Sequence, residues 1–379
     1  MKAAVLGSPI AHSLSPFLHR AAYDALGLED WSYSLVECTS EELPAFIAGL
    51  DAEWAGLSLT MPLKRTVLPL LHHVDPVAAG CGGANTVVFR ADGRYGYNTD
   101  VQGIIDALAE AGAPAPGSVT IVGGGATACS ALAAVRELGA GLADVVVRDP
   151  SRTGDLQDAA ARLGVRVQLR DFGYFASGAP SDLLISTVPA GVADCYATRI
   201  RQAAAAPAAV MDVVYHPWPT PLALAAAAAG SIVASGFAML AHQAAAQVEL
   251  MTGKPAPLAA MRAAGEAELA RRAAAGALRA ARVRALDQAG AAGVAPLPQA
   301  GDHASDVRDG PVLAELRLGL DAGDEQLDAD NGAQLPLDEG TGRVVRRPRA
   351  GIARLVLGGE AADDRLGPRG VIVDDQLAV

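Results

Sequence analysis

Short apolar segments of β-strand length alternate with stretches of helical spacing through about the first 275 residues of the chain. The first apolar segment, Lys2 to Leu6, leads through a polar loop to a predicted helix that begins at Pro16. The segment WSYSLVEC then predicts a second strand, and a capped helix is predicted from Ser40 to Leu50. Because helices that alternate with strands pack onto the faces of a sheet, this pattern predicts an α/β fold.

A turn-rich segment, Ala113 to Gly117, divides the alternating pattern into two parts. Before it, WAGLSLTMP predicts a strand, and ANTVVFR with RYGYNTD predicts a β-hairpin. After it, five apolar segments suit a parallel sheet that is buried on both faces: SVTIVGGG, ADVVVRD, VRVQLRD, DLLISTVP and AAVMDVVY. We therefore predict two lobes, one made of residues 1–101 and returning helices in 237–275, the other of residues 102–236.

The character of the chain changes after residue 275. Residues 276–379 contain no lysine, are rich in alanine, glycine, aspartate and arginine, and hold only brief apolar groups such as ARLVLGG. A segment without a sustained hydrophobic period cannot bury enough apolar surface to offset the entropy of ordering. We predict a low-complexity extension of low order, which is either functional or the product of a mis-translated reading frame.

The composition argues against several classes of function. The formal net charge is −12, and no cationic stripe occurs in the first two thirds of the chain, so we expect no nucleic-acid partner. We expect a cytoplasmic protein without a membrane partner, because neither a secretion signal nor a long apolar run is present. Four widely spaced cysteines form no C-x-x-C pair and predict neither a metal site nor a disulfide framework: Cys38, Cys81, Cys129 and Cys195.

The segment TIVGGGATACSALAAV joins the strongest predicted strand to a helix through three glycines. Gly123, Gly125 and Ala128 match the G-x-G-x-x-[GA] pattern, in which glycines let the backbone approach a pyrophosphate at a helix N-terminus. The turn predicts a dinucleotide site and makes the second lobe Rossmann-like, although a glycine turn without a ligand is the alternative. The remaining residues of the turn are Gly124, Ala126 and Thr127.

The end of the next strand, VVVRDPSR, is where the ribose of a dinucleotide is usually bound. Arg148 and Arg152 favour NADP because a guanidinium neutralises its 2′-phosphate. Asp149 favours NAD because a carboxylate accepts hydrogen bonds from the ribose hydroxyls and repels a phosphate. Charge alone leaves the cofactor open between NADP and NAD, and a solvated surface loop is the third alternative.

Four polar clusters occur in the first lobe, each where a predicted strand meets a loop. They are GSPIAHSLSP, GLSLTMPLK, GGANT and GYNTD. Loops at strand ends are where α/β enzymes place their binding groups, and the hydroxyls and amides here suit a polyhydroxylated acid. Taken singly, these residues are also typical of turns, helix caps and surface charges.

Taken together and in order, these segments resemble the shikimate dehydrogenase family from the start of the chain to about residue 275. Two further segments, MDVVYHPWPTPL and GFAMLAHQAAAQVELMTG, resemble stretches of the same family. The resemblance implies NADP-linked reduction of 3-dehydroshikimate to shikimate, a step of aromatic amino-acid biosynthesis. It also implies a cleft between a substrate-binding lobe and a Rossmann-like lobe, and a monomer or a homodimer.

The resemblance implies a role for each matching residue. Lys64 and Asp100 would form the catalytic acid–base pair, in which the ammonium protonates the oxygen of the reduced ketone. Ser13, Ser15 and Tyr215 would bind the substrate carboxylate. The ring hydroxyls would contact Thr60, Asn85 and Gln243, and the cofactor would lie near Thr187, Val188, Gly236 and Met239.

Three departures from the family's usual sequence bear on specificity. Ser58 and Arg20 each stand where the family usually has asparagine, and the N-R-T of its NADP-type loop is replaced by Arg148, Asp149 and Pro150. Ser58 and Asp149 leave open an NAD-preferring quinate or shikimate dehydrogenase. A non-catalytic binding or regulatory paralogue is the alternative from another class, and the intact Lys64 and Asp100 argue against it.

Overall fold

The computed structural model describes residues 1–174, 181–202 and 206–292. Two six-stranded sheets succeed one another along this part of the chain. We call the sheet of residues 2–97 and its helices the first lobe, and the sheet of residues 119–235 and its helices the second lobe. The predicted α/β class with two lobes is confirmed, whereas the assignment of separate functional domains to them stays a prediction.

The first lobe contains a mixed sheet with the strand order β2-β1-β3-β5-β6-β4. Strands β1, β2 and β3 are parallel, and β5 and β6 form the predicted antiparallel hairpin next to β3. The polar loops after β1, β3 and β6 and before β5 therefore reach the same edge of the sheet. The strands are β1 (Lys2–Gly7), β2 (Ser32–Glu37), β3 (Trp54–Leu59), β4 (His73–Val74), β5 (Thr86–Arg90) and β6 (Gly93–Tyr97).

The second lobe contains a parallel sheet with the strand order β12-β11-β10-β7-β8-β9. Every residue of β7, β10 and β11 is buried, as their apolar sequences predict. The strand order reverses between β7 and β10, where sheets of this kind open a crevice at the carboxyl ends of their strands. The strands are β7 (Val119–Val122), β8 (Leu142–Val146), β9 (Arg166–Arg170), β10 (Leu183–Ser186), β11 (Ala209–Asp212) and β12 (Ile232–Ser235).

Eleven α-helices lie in the described residues, and none of them is long and apolar enough to span a bilayer. They are α1 (Ser15–Ala25), α2 (Leu43–Ala48), α3 (Leu63–Thr66), α4 (Pro76–Cys81), α5 (Asp100–Glu110), α6 (Ala126–Glu137), α7 (Gly154–Leu163), α8 (Asp194–Gln202), α9 (Pro221–Ala228), α10 (Gly236–Thr252) and α11 (Leu258–Ala292).

Two predicted boundaries differ from the structure. The capped helix predicted from Ser40 to Leu50 is shorter, because α2 begins after Glu42 and no side chain caps it. The low-order extension predicted from residue 276 begins inside a helix, since α11 continues to Ala292. Alanine and arginine are good helix formers, so a segment without an apolar face can still extend a helix that is packed at its start. The rest of the predicted extension lies outside the described residues.

Helix α10 connects the two lobes. It follows β12 of the second sheet, and it packs against α5 and against β3 and β5 of the first sheet. Its Gln247 is buried, accepts a hydrogen bond of 2.8 Å from Ser58 Oγ and donates one of 2.9 Å to Thr86 Oγ1. A buried amide needs such partners, so these bonds set how α10 sits on the sheet.

Replacing Leu132 by alanine should lower the free energy of unfolding by about 2–5 kcal/mol, because it removes a fully buried side chain of α6 from the core. The matched control is Leu224→Ala on α9, where the leucine is 56% exposed and the cost should stay within about 0.5 kcal/mol. Chemical denaturation of both variants measures the difference. Similar losses in the two variants would contradict this packing.

Candidate active site

Lys64 and Asp100 form a partly buried ion pair at the edge of the first sheet. Lys64 lies on α3 just after β3, and Asp100 is the first residue of α5 just after β6. Lys64 Nζ is 2.5 Å from Asp100 Oδ2, and the side chains are 13% and 7% exposed. The predicted pair is therefore brought together, with its ammonium within reach of a cavity.

Asn85, which directly precedes β5, holds the carboxylate of this pair from the other side. Its Nδ2 donates a hydrogen bond of 2.8 Å to Asp100 Oδ1 and one of 2.9 Å to Thr99 Oγ1, and its Oδ1 accepts from the Thr99 amide at 2.8 Å. Its Nδ2 is also 3.3 Å from Gln243 Oε1 on α10. Both oxygens of Asp100 thus have a fixed partner, which orients the side chain toward Lys64.

A cavity of about 210 Å³ opens beside the pair. Both lobes line it: the loops after β1 and β3 contribute hydroxyls from the first lobe, and Thr127 and Tyr215 contribute hydroxyls from the second. Every residue for which the sequence predicts a substrate or catalytic role lines this cavity: Ser13, Ser15, Thr60, Lys64, Asn85, Asp100, Tyr215 and Gln243. The family resemblance implied these roles, and the order of strands in the first sheet explains how Thr60, Asn85 and Asp100 meet.

Two larger cavities continue from this one along the carboxyl ends of the second sheet. The cavity of about 780 Å³ shares Thr60, Lys64 and Tyr215 with the smaller cavity. It shares the glycine turn and Val188 with a third cavity of about 530 Å³. The three cavities therefore form one groove that runs from Lys64 past the glycine turn to the end of β8.

The glycine turn has the geometry that a dinucleotide needs. Gly123 has φ +116°, and a Cβ there would lie 2.4 Å from Thr187 Oγ1, so only glycine fits. A Cβ at Gly125 would have no atom within 4 Å, so the space above the N-terminus of α6 is open. No side chain caps this terminus, so its amides face the groove without a side-chain partner. These residues fit the pyrophosphate of NADP.

The remaining predicted cofactor residues line the same groove. Gly124, Ala126, Thr127, Thr187 and Val188 lie at the turn. Arg148, Asp149 and Arg152 line the third cavity, and Gly236 and Met239 line the small one beside the substrate residues. A Cβ at Gly236 would lie 2.1 Å from the Val213 carbonyl oxygen, so this close approach of α10 to the loop after β11 requires glycine.

Comparisons with known proteins agree with this geometry. The model described as "Shikimate dehydrogenase substrate binding domain" matches residues 5–87, and "Shikimate 5'-dehydrogenase C-terminal domain" matches residues 236–264. The shikimate dehydrogenase (NADP(+)) of Citrifermentans bemidjiense is 39% identical over 274 residues, which cover 69% of this chain and 93% of that relative. The chain belongs to the shikimate dehydrogenase family.

Solved structures of shikimate dehydrogenases have the same fold. The enzyme of Mycobacterium tuberculosis is 43% identical, with a TM-score of 0.62 over 69% of this chain and 99% of the other. The shikimate 5-dehydrogenase of Thermus thermophilus, solved in complex with NADP(H) and shikimate, is 32% identical, with a TM-score of 0.60 over 70% and 98%. The family resemblance predicted from the sequence is confirmed.

Ser58, which stands where the shikimate dehydrogenase family usually has asparagine, is part of a buried hydrogen-bond chain. Its Oγ accepts from the Tyr33 hydroxyl at 2.7 Å and donates to Gln247 Oε1 at 2.8 Å. Tyr33 and Gln247 were not predicted as site residues, because Tyr33 on a strand and Gln247 on a helix each occupy a position typical of the core. Ser58 lines the small cavity, and its only proton is used within the protein.

Arg65 is a second feature that the sequence analysis missed. It follows Lys64 directly, lines both larger cavities, and forms an ion pair with Asp155 of α7 in the second lobe. Its position directly after Lys64 in the sequence is the feature that could have indicated a place near the site. Arg65 thus links the turn that carries Lys64 to the lobe that carries the glycine turn.

Among the described residues, no group of three or more His, Cys, Asp or Glu side chains could hold a metal ion.

Asp149 is held by its own turn, since its Oδ1 accepts from Ser151 N at 3.0 Å and from Ser151 Oγ at 2.6 Å. These hydrogen bonds lower the pKa of Asp149. Both hydrogen bonds fall on Oδ1, so one carboxylate oxygen of Asp149 holds the turn between Arg148 and Arg152.

His19 makes the buried contact expected of a helix residue rather than of a base. Its Nδ1 is 2.9 Å from the Ser15 carbonyl oxygen, and its ring stacks on Tyr33 with centroids 3.9 Å apart. Burial lowers the pKa of His19 to about 4. The imidazole is therefore neutral near neutral pH and serves the structure of α1.

The pKa of His19 predicts a pH dependence of stability. Between about pH 6.5 and pH 4 the unfolded chain binds a proton at His19 that the folded chain does not bind. The free energy of unfolding therefore decreases as the pH is lowered through this range, by up to about 3 kcal/mol. His19→Asn should flatten this fall, whereas His73→Asn at an exposed position should not. Chemical denaturation at several pH values tests this, and equal slopes for wild type and H19N would contradict it.

Proposed function

We propose that this protein is an NADP-dependent shikimate dehydrogenase that uses NADPH to reduce 3-dehydroshikimate to shikimate, a step of aromatic amino-acid biosynthesis. The observation that carries the proposal is the Lys64–Asp100 pair, which lies where a small polar cavity opens into the groove of the glycine turn. The solved relative from Thermus thermophilus with NADP(H) and shikimate supports the choice of both ligands.

Within this proposal, the small cavity binds the cyclic acid. Ser13, Ser15 and Tyr215 hold its carboxylate, because hydroxyl groups can donate to it from one end of the cavity. Burial raises the pKa of Tyr215, so the phenol stays protonated and able to donate. The ring hydroxyls face Thr60, Asn85 and Gln243, whose oxygen and amide groups can both donate and accept.

The chemistry follows from the buried pair. NADPH, when bound, supplies the hydride that is added to the carbonyl carbon. Lys64 stabilises the negative charge that grows on the carbonyl oxygen and donates a proton to it. Asp100 keeps the ammonium in place through the 2.5 Å contact and accepts from a substrate hydroxyl, while Asn85 keeps Asp100 in its rotamer.

Replacing Lys64 by alanine should lower kcat for shikimate oxidation by about 10²–10⁴-fold, because it removes the general acid–base group. The KM for shikimate should change far less, since hydroxyl and amide groups make most of the contacts. Steady-state assays that follow the absorbance of reduced nicotinamide measure both constants. The matched control is Lys254→Ala at an exposed position, and full turnover by K64A would overturn the assignment.

Arg148 and Arg152 are proposed to bind the 2′-phosphate of NADP, and Asp149 to shape the turn between them. Arg152→Ala should raise the KM for NADP about tenfold and leave the KM for NAD nearly unchanged, because only NADP carries that phosphate. Arg166→Ala, at an exposed position on β9, controls for the loss of one positive charge. Equal effects of R152A on the KM values for NADP and NAD would show that Arg152 does not bind the 2′-phosphate.

Assays of the wild type with shikimate or quinate and with NADP or NAD separate the proposal from its alternatives. Turnover with quinate and NAD alone would support the NAD-preferring quinate enzyme, and no turnover with any pair would support a non-catalytic paralogue. The intact pair of Lys64 and Asp100 favours an enzyme. A cytoplasmic location, the state of a monomer or homodimer, and the expected lack of a nucleic-acid partner stay predictions.

A further inference from the structure

Helix α11 follows α10 and packs against α1, next to the loop that carries Ser13. Its Arg272 donates a hydrogen bond of 2.6 Å from Nη1 to the His12 carbonyl oxygen and one of 3.3 Å from Nη2 to the Ser13 carbonyl oxygen. The two contacts join residues that are 260 and 259 positions apart in the chain. Arg272 also lies beyond residues 236–264, which the C-terminal family model matches.

A buried carboxylate fixes the guanidinium of Arg272. Glu268 has a side chain that is only 4% exposed, and its Oε1 accepts from Arg272 Nε at 2.6 Å. Arg271 also binds Glu268 but is 69% exposed and has no contact with the loop among its hydrogen bonds. Hydrogen bonds from Arg271 and Arg272 lower the pKa of Glu268 to about 2. The guanidinium of Arg272 is thus held in place by Glu268, which lies one helical turn earlier on α11.

The guanidinium of Arg272 lies at the cavity that adjoins the substrate cavity. Arg272 lines the 780 Å³ cavity together with His12 and Tyr215, while Ser13, Ser15 and Tyr215 line the adjoining cavity of 210 Å³. The Ser13 hydroxyl also accepts a hydrogen bond of 3.2 Å from the Ser15 amide. Fixing the carbonyl groups of residues 12 and 13 therefore limits where both serine hydroxyls can point.

We propose that Arg272 is a positioning residue, which holds the loop from His12 to Ser15 so that its hydroxyls receive the carboxylate of the substrate. The proposal rests on the proposed function, since it assigns that loop to the acid. Glu268 pairs with both Arg271 and Arg272, and only Arg272 donates hydrogen bonds to the loop, so we assign the effect to those two bonds. The substrate-binding loop is in this way completed by a helix from the other end of the described chain.

The test compares Arg272→Ala with Arg271→Ala in the full-length protein. Both variants lose one positive charge from neighbouring positions on the same helix, but only R272A loses the contacts with the loop. We expect the KM for shikimate to rise about tenfold in R272A, with the KM for NADP within about twofold of wild type and kcat little changed. R271A should behave as wild type. Arg272→Lys, which keeps the charge but replaces the planar guanidinium with a single ammonium, should fall between.

Hydrogen exchange of the amides of residues 10–15 provides a readout that does not need turnover. Exchange should be faster in R272A and unchanged in R271A, because only the first loosens the loop. An unchanged KM for shikimate in R272A would overturn the proposal even with faster exchange, and so would equal effects in the two variants. A wild type that turns over neither acid would defeat the proposed function, while the exchange data would still report whether Arg272 holds the loop.

Discussion

The ion pair between Lys64 and Asp100 depends on the order of strands in the first sheet. Strand β3 ends, β5 begins and β6 ends at the same edge, because β5 runs antiparallel between its two neighbours. Lys64, Asn85 and Asp100 follow or precede these three strand ends, so the backbone ladder brings their side chains together. Asn85 then uses both ends of its amide to fix Asp100 and the Thr99 backbone. Asp100 is thus held by Lys64 on one carboxylate oxygen and by Asn85 on the other, which fixes the geometry of the pair.

The second lobe places its binding residues by a simpler rule. All its strands are parallel, and the residues that line the groove come just after their carboxyl ends: Gly123 after β7, Arg148 after β8, Thr187 after β10, Tyr215 after β11 and Gly236 after β12. Helix α10 starts at the last of these strand ends and packs back onto the first sheet. Helix α10, the packing of α5 against α6 and the Arg65–Asp155 ion pair together hold the glycine turn near Lys64. Hydride transfer requires that the reacting groups be close.

Two elements of the structure were not predicted from the sequence, each for a physical reason. The strand Ile232–Ser235 was not predicted, because four residues in the sequence SIVASGF are too few to separate a strand from a helix end by periodicity. The continuation of α11 beyond residue 275 was missed, because helix propensity without an apolar face looks the same as a low-complexity stretch.

The sequence by itself determined the α/β class and the glycine turn, because strands and turns are encoded by residues that are neighbours in the chain. The family resemblance added most residues around the groove, but not Arg65 or Arg272. The tertiary structure decided which of these residues touch. Asn85 meets Gln243 from 158 positions away, and Arg272 reaches Ser13 from 259 positions away. Such contacts arise from the crossing of helices over sheets, and no local pattern encodes the side-chain partner at the far end of the chain.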